Sequence, residues 1–260
     1  YDVAFNQGGE KGGVHLSLNY LDHTGAVIKS SYNRITTRLN SNYNFLDGRV
    51  TIGENLAVTK GSRQWSDDGF GGTVNDLNRV MKPILPVLTE DGRFAGPPGT
   101  GFDDRDNPAG LADDNQYDRI NNVKIFGSVY ADVKIIEGLN FRTSYGIDYD
   151  NLYTRDLFPT YNRGFLSNAT AEMRLSQIHQ TNTVFNNTLT YTKYLDEVHY
   201  LSVLVGTEAI ENNINSFSAS AKDFALETND YFQLSAAAGE RTSSGSQTGF
   251  SLFSYFGKAS

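Results

Sequence analysis

Apolar and polar side chains alternate without a break through several stretches of this chain. Val14, Leu16, Leu18 and Tyr20 interleave with His15, Ser17 and Asn19. Leu139, Phe141, Thr143, Tyr145, Ile147 and Tyr149 interleave with Asn140, Arg142, Ser144, Gly146 and Asp148. A period of two sends one set of side chains to each face of a β-strand. Two architectures accommodate such strands. In a soluble sandwich the polar face meets bulk water; in a transmembrane barrel the apolar face meets lipid and the polar face lines a lumen.

The pattern predicts nine strands: Tyr1 to Gln7, Val14 to Leu21, Arg34 to Phe45, Val50 to Thr59, Asn122 to Val133, Leu139 to Asp150, Asn182 to Lys193, Val198 to Gly206 and Gly249 to Ser260. The connectors Gly8 to Gly13, Leu46 to Arg49, Lys134 to Gly138 and Tyr194 to Glu197 are short. Between them fall Asp22 to Asn33, Lys60 to Asn121, Asn151 to Thr181 and Thr207 to Thr248, and the last three far exceed an ordinary loop. Antiparallel strands in this order put every short turn at one end of the sheet and every long loop at the other. That asymmetry belongs to outer-membrane barrels, so the fold expected is all-β, an antiparallel transmembrane barrel. All six prolines, Pro83, Pro86, Pro97, Pro98, Pro108 and Pro159, fall in the long loops, as they must if they cannot donate to a sheet ladder.

Three places depart from the pattern. Glu54 shares parity with Ile52, Leu56 and Val58, which puts a carboxylate on the lipid face unless it sits near an interface or the strand bulges. From Asn122 to Val133 both faces carry apolar residues, and the face of Val123, Ile125, Val129 and Val133 is taken as outward, with Phe126 and Tyr130 opposite. In the first long loop, Val74 to Met81 predicts a short helix with Val74, Leu77 and Met81 on one side, stopped by Pro83. The favoured role for that segment is packing the loop onto the barrel rim; the sharper one is a contact surface for a partner.

No apolar run approaches the ~20 residues of a spanning helix, so any membrane residence rests on strands, which also explains a mean hydropathy of only -0.43. The 15 Tyr and 16 Phe suit both strands and interfacial girdles. The chain has no cysteine, which removes disulfides, thiolate metal sites and cysteine nucleophiles. A net charge of -8 without a Lys/Arg cluster argues against nucleic acid as a partner. The start at Tyr1 and the stop at Lys258-Ala259-Ser260 within a strand read as an internal segment.

No motif supports catalysis or a cofactor. Asp67-Asp68, Asp103-Asp104-Arg105-Asp106 and Asp113-Asp114 are dense carboxylate groups, but none has the ligand spacing of a calcium loop. Solvated loop charge is the favoured reading, and no metal residue is assigned. A glycosidase needs two carboxylates across one bond, and no pair stands out here. His15, His23, His179 and His199 lack metal spacing, and His15 and His199 are placed on strands with a lumen or turn role. There is no nucleophile elbow, phosphate loop or dinucleotide fingerprint. Trp65, Phe70, Tyr153, Phe158, Tyr161, Phe165, Tyr231 and Phe232 place rings in the long loops, where most are expected to pack on the rim and a few to touch ligand.

Several stretches, taken in order, resemble a known family. Tyr20-Leu21-Asp22-His23-Thr24-Gly25, Tyr32-Asn33-Arg34, Arg38-Leu39-Asn40 and Ile52-Gly53-Glu54-Asn55-Leu56 look like the early barrel of the SusC/RagA-type TonB-linked outer-membrane transporters. Asn107-Pro108, Gly127-Ser128-Val129-Tyr130, Gly138-Leu139-Asn140-Phe141-Arg142 and Gly146-Ile147-Asp148-Tyr149 extend it, as do Asn187-Thr188-Leu189-Thr190-Tyr191, His199-Tyr200-Leu201 and Ser254-Tyr255-Phe256-Gly257-Lys258. Lys258 stands where the family commonly has Arg, which keeps charge without bidentate geometry. The resemblance implies that residues 1–260 form part of a 22-stranded barrel, with the plug, TonB box and remaining strands outside this stretch. It also implies uptake of a glycan or peptide nutrient driven by the TonB complex, with a SusD-like surface lipoprotein as partner and outer-membrane lipid around the barrel. No ligand-contact residue carries over, and no cofactor is implied. Two alternatives remain at this stage, a passive porin-type barrel and a soluble β-rich glycan-binding or adhesin module.

Overall fold

The computed structural model describes residues 1–64, 73–99, 101, 105–194 and 199–260. Nine strands form one antiparallel sheet: β1 (Asp2–Gly9), β2 (Gly12–Thr24), β3 (Ser31–Phe45), β4 (Val50–Gln64), β5 (Arg119–Ile136), β6 (Leu139–Phe158), β9 (Glu172–Tyr194), β10 (Tyr200–Lys222) and β11 (Arg241–Ala259). Each pairs with the next in that order, while β7 (Tyr161–Arg163) and β8 (Leu166–Asn168) form a separate small hairpin between β6 and β9. The short connections are tight. Glu10-Lys11 alone joins β1 to β2, and Leu46, Asp47 and Gly48 all take positive φ (52°, 55° and 80°) to turn β3 into β4. Lys134 and Ile136 flank a register shift just before the turn at Gly138, whose φ of 79° suits glycine.

The strand count matches the sequence pattern, but the later strands are far longer than alternation indicated. β6 continues to Phe158, β9 begins at Glu172 rather than Asn182, β10 continues to Lys222 rather than Gly206, and β11 begins at Arg241. Most of the expected loops Asn151 to Thr181 and Thr207 to Thr248 is therefore strand, leaving connections at 159–171 and 223–240. The loop expected at Asp22 to Asn33 shrinks to 25–30. β10 starts at Tyr200, so His199 lies just before it rather than on a strand. The turn from Tyr194 falls largely on 195–198, outside the described residues. A bilayer needs about 9–11 residues of tilted strand. The 23 residues of β9 and of β10, at about 3.3 Å each, reach well past it even at 45°. Beyond lipid a strand face has no need to be apolar, so alternation fades and the sequence reads as loop.

Registers show how the faces are built. Residues directly opposite share a face, which sets Leu16, Leu39, Leu56, Gly127 and Ile147 in one row. A second row on the same face runs Phe45, Val50, Val133, Phe141, Leu189 and Val205. The first row turns polar at Thr183, Glu211 and Ser251. In a barrel with strands tilted near 40°, a row perpendicular to the strands climbs about 3 Å per strand. By β10 it has left the apolar band. Val123, Ile125, Val129 and Val133 lie on this apolar face, with Phe126 and Tyr130 opposite, as taken from the sequence. Glu54 also lies on it. No register shift occurs in β4, and Ser41 Oγ donates to the Glu54 carboxylate from the facing position, four residues from the short-turn end.

The apolar face is exposed: Leu16 and Leu18 are each 42% accessible. Among the described residues no second sheet covers it, so the packing that a soluble sandwich requires is missing. The buried core lies instead at the long-loop end, where Phe224, Phe232 and Ala237 of the 223–240 connection pack on Leu157, Ala171, Met173 and Ala221. Helix α1 (Val74–Val80) forms within the expected segment, capped by the Thr73 side chain, which accepts from the Asp76 amide at 3.2 Å; Leu77 is fully buried. Helix α2 (Pro108–Asp114) was not anticipated, although Asn107 and Pro108 are a sound N-cap and first residue.

Candidate functional site

The polar face carries cross-strand ion pairs and amide contacts. Lys124 meets Asp148 at 3.2 Å, Arg142 meets Asp132 at 3.0 Å and stacks over the Tyr130 ring, and Asn122 donates to Asp150 at 2.5 Å. Asn182 accepts from Asn212, and His15 is bonded to Asn6. Such a wall suits a water-filled or protein-filled lumen and not lipid. Exposed apolar side chains also occur on this face, Phe250, Leu252 and Phe256 on β11 and Phe126 on β5, whose ring lies beside a notch of about 400 Å³ that Arg38, Asn55, Asp148 and Asn182 also line.

At the long-loop end, the connections fold into a crown held by one buried cation. Arg163, on β7, is 4% exposed and donates to Asp106 at 3.0 Å, to Asp114 at 2.6 Å and to the Gly110 carbonyl at 3.2 Å. Its guanidinium lies over the Tyr161 ring, 4.4 Å from the centroid. Gly110 is needed there, since a Cβ on it would stand 2.8 Å from that guanidinium. Asn107, 2% exposed, caps α2 and donates to the carbonyls of Val87 and Ala95 at 2.9 and 2.8 Å, tying the helix to the preceding loop. Gly164 turns the hairpin at φ 60°, and the Phe165 amide donates to Pro97 O at 2.8 Å. One cation serves two carboxylates, so burial prevails at the more weakly compensated one and pushes Asp114 up to about 6 against the pull of Arg163. Burial also raises the Tyr161 hydroxyl.

The crown accounts for several carboxylates grouped in the sequence. Asp106 and Asp114 share Arg163, and Asp113 faces Lys29 at 3.8 Å. Asp67, Asp68, Asp103 and Asp104 lie outside the described residues, as do Trp65 and Phe70. Among the described residues no group of three His, Cys, Asp or Glu side chains is placed to hold a metal. Of the remaining loop rings, Tyr153 and Phe158 sit on β6, and Arg174 stacks on Phe158. Phe232 is core, while Phe165 and Tyr231 are 55% and 56% exposed. His179 packs edge-on against Tyr149. Arg163 gave no sequence signal because its carboxylate partners are 49 and 57 residues away.

Two concavities open on the crown on either side of α2. One, about 490 Å³, is lined by Val27, Ile28, Val74, Met81 and Val87 together with Asn75, Asn78 and Lys82. The other, about 700 Å³, lies over Arg163 and Tyr161.

No family model matches the chain. Over 98% of its length it is 27% identical to TonB-dependent receptor P3 of Formosa agariphila, and over 58% it is 31% identical to TonB-dependent receptor P39 of the same organism. The chain is similar in sequence to TonB-dependent receptors, and its fold is that of part of such a receptor barrel. It spans 26% of the length of the first relative and 14% of the second. Solved structures of the RagAB peptide importer in the closed-closed state and of the RagAB peptide transporter superpose on 98% of the chain, with TM-scores of 0.72 and 0.68 at 20% and 19% identity. Each match covers 29% of the solved chain, and at that identity the likeness is one of fold. In an outer-membrane receptor barrel an apolar outer face meets lipid and a polar inner face lines the lumen.

Proposed function

We propose that this stretch of receptor barrel serves TonB-dependent uptake of a glycan or peptide nutrient, working with a SusD-like surface lipoprotein. In this reading residues 1–260 lie wholly in the barrel domain, and the plug and TonB box belong to other parts of the receptor. The polar wall of β4–β10 borders the translocation path, and the crown faces the cell exterior. The observation that carries the reading is the asymmetry of the sheet: two-residue and similarly tight turns at one end, and a folded, ion-pair-locked crown at the other. Loops held rigidly on a scaffold are where recognition is usually placed. The 490 Å³ groove supports a protein partner, because Ile28 and Val87, which line it, are each 58% exposed on loops beyond the lipid band.

The test uses the complete receptor in cells. Epitope tags at Gly99, on the crown, and at Gly48, in the β3–β4 turn, report sidedness: the first is expected to label on intact cells and the second only after permeabilisation. Ile28→Glu is expected to reduce co-purification of the lipoprotein, and removal of TonB is expected to abolish uptake. Reversed labelling rejects the topology, and uptake that persists without TonB rejects the mechanism.

A further inference from the structure

The 700 Å³ concavity over β7 and β8 has a composition unlike the rest of the crown. Its walls carry neutral hydrogen-bonding side chains, Thr160, Asn162, Ser167 and Asn168, together with the rings of Phe94 and Tyr161. Three charged residues border it, Arg93, Asp114 and Arg163, and both cations are paired. Arg93 pairs with Asp91 at 2.6 Å, and Arg163 is shared between Asp106 and Asp114. The volume falls within the range of about 300–1,000 Å³ for small-molecule sites. We propose that this pocket is a binding site for a neutral sugar unit on the receptor's outer crown, separate from the lumen, with Tyr161 and Phe94 as the apolar platform and the Thr160, Asn162, Ser167 and Asn168 side chains as hydroxyl partners.

A pyranose ring presents one apolar C–H face and a rim of hydroxyls, and a pocket of rings and uncharged amides matches both. A ligand carrying a carboxylate finds no free cation among these lining residues and meets Asp114, which shares Arg163 with Asp106. It would leave its own charge poorly solvated. The site is also rigid. Asn168 donates to the Pro159 carbonyl at 2.7 Å, and Glu227 accepts from the Thr160 amide and hydroxyl at 2.6 and 2.8 Å. The Arg163 guanidinium fixes the Tyr161 ring from one side. Little ordering is left for a ligand to impose, which favours binding by weak contacts.

The inference rests on the uptake reading above, because it names the class of nutrient first captured. The experiment measures binding by calorimetry to the complete receptor in detergent, with maltose, cellobiose and lactose as neutral probes, digalacturonate as an anionic probe and trialanine as a zwitterionic one. At least one neutral disaccharide is expected to bind. Tyr161→Ala is expected to weaken that binding tenfold or more, whereas Tyr161→Phe, which keeps the ring and its stack on Arg163, is expected to change it less than threefold. Asn162→Ala, at an exposed side chain, is expected to weaken binding at least threefold and guards against a folding artefact in Tyr161→Ala. No neutral binding, tighter binding of digalacturonate or trialanine, or equal affinity in Tyr161→Ala and the parent overturns the proposal. Uptake with and without TonB, measured in parallel, reports separately on the transport reading, so the two fail independently.

Discussion

Replacing Arg163 by methionine removes the cation on which the crown turns. The side chain is 4% exposed, its partner Asp106 is 2% exposed and Asp114 is 15% exposed. Breaking a buried pair by deleting one partner costs about 3–5 kcal/mol, because the stranded charge has lost both water and its counter-ion. Two carboxylates are stranded here, but Asp114 relieves part of the cost by taking up a proton, so about 3 kcal/mol is expected near neutral pH. The damage is local. The sheet does not depend on this cluster, whereas the loop at 83–118 and the β7–β8 hairpin meet through it. Hydrogen exchange on the complete Arg163→Met receptor is expected to show faster exchange in 105–118 and 159–168, by roughly two orders of magnitude at this cost, with β2 to β6 unchanged. Adding Asp106→Asn and Asp114→Asn to Arg163→Met is expected to restore much of the protection. Parental exchange rates in both segments of the single variant would refute the argument that buried charge pairing holds the crown.

The same cluster predicts a pH dependence. Asp114 is raised from 3.8 to about 6, so the folded crown binds its proton more tightly than the unfolded chain; this stabilisation is full below about pH 4 and is lost as pH rises through 6, amounting to about 3 kcal/mol. Exchange protection of 105–118 is expected to fall over that window in the parent and to lose this dependence in Asp114→Asn; a slope that persists in the variant assigns the titration elsewhere. Leu16→Arg, on the lipid face, is expected to cost about 2–4 kcal/mol for folding into vesicles if it sits near mid-bilayer, and Ser17→Arg on the lumen face much less; equal costs reverse or abolish the face assignment. Gly164→Ala puts a Cβ 2.5 Å from the Pro97 carbonyl at φ 60° and is expected to destabilise the hairpin by about 1–3 kcal/mol, read as faster exchange of the Phe165 amide.

What the sequence determined by itself was local. Alternation puts an apolar residue at every second position, so Val14 to Tyr20 and Leu139 to Tyr149 announced strand and face, and the order of short turns and long loops pointed to the barrel. Tight turns at Glu10-Lys11 and Gly48, the helix at Val74–Val80 and the exclusion of proline from the sheet follow from backbone chemistry that acts over a few residues. The reach of β6, β9, β10 and β11 beyond the lipid was decided only by tertiary structure, because a strand in water needs a pairing neighbour and not an alternating pattern. The row that begins at Leu16 and ends at Glu211 and Ser251 makes the same point: strand tilt, a property of the assembled sheet, carries it out of the apolar band. The crown is the most extreme case. Arg163 finds Asp106 and Asp114 across 57 and 49 residues, and nothing near any of the three records that meeting, since burial removes their water only once the loops have closed around them.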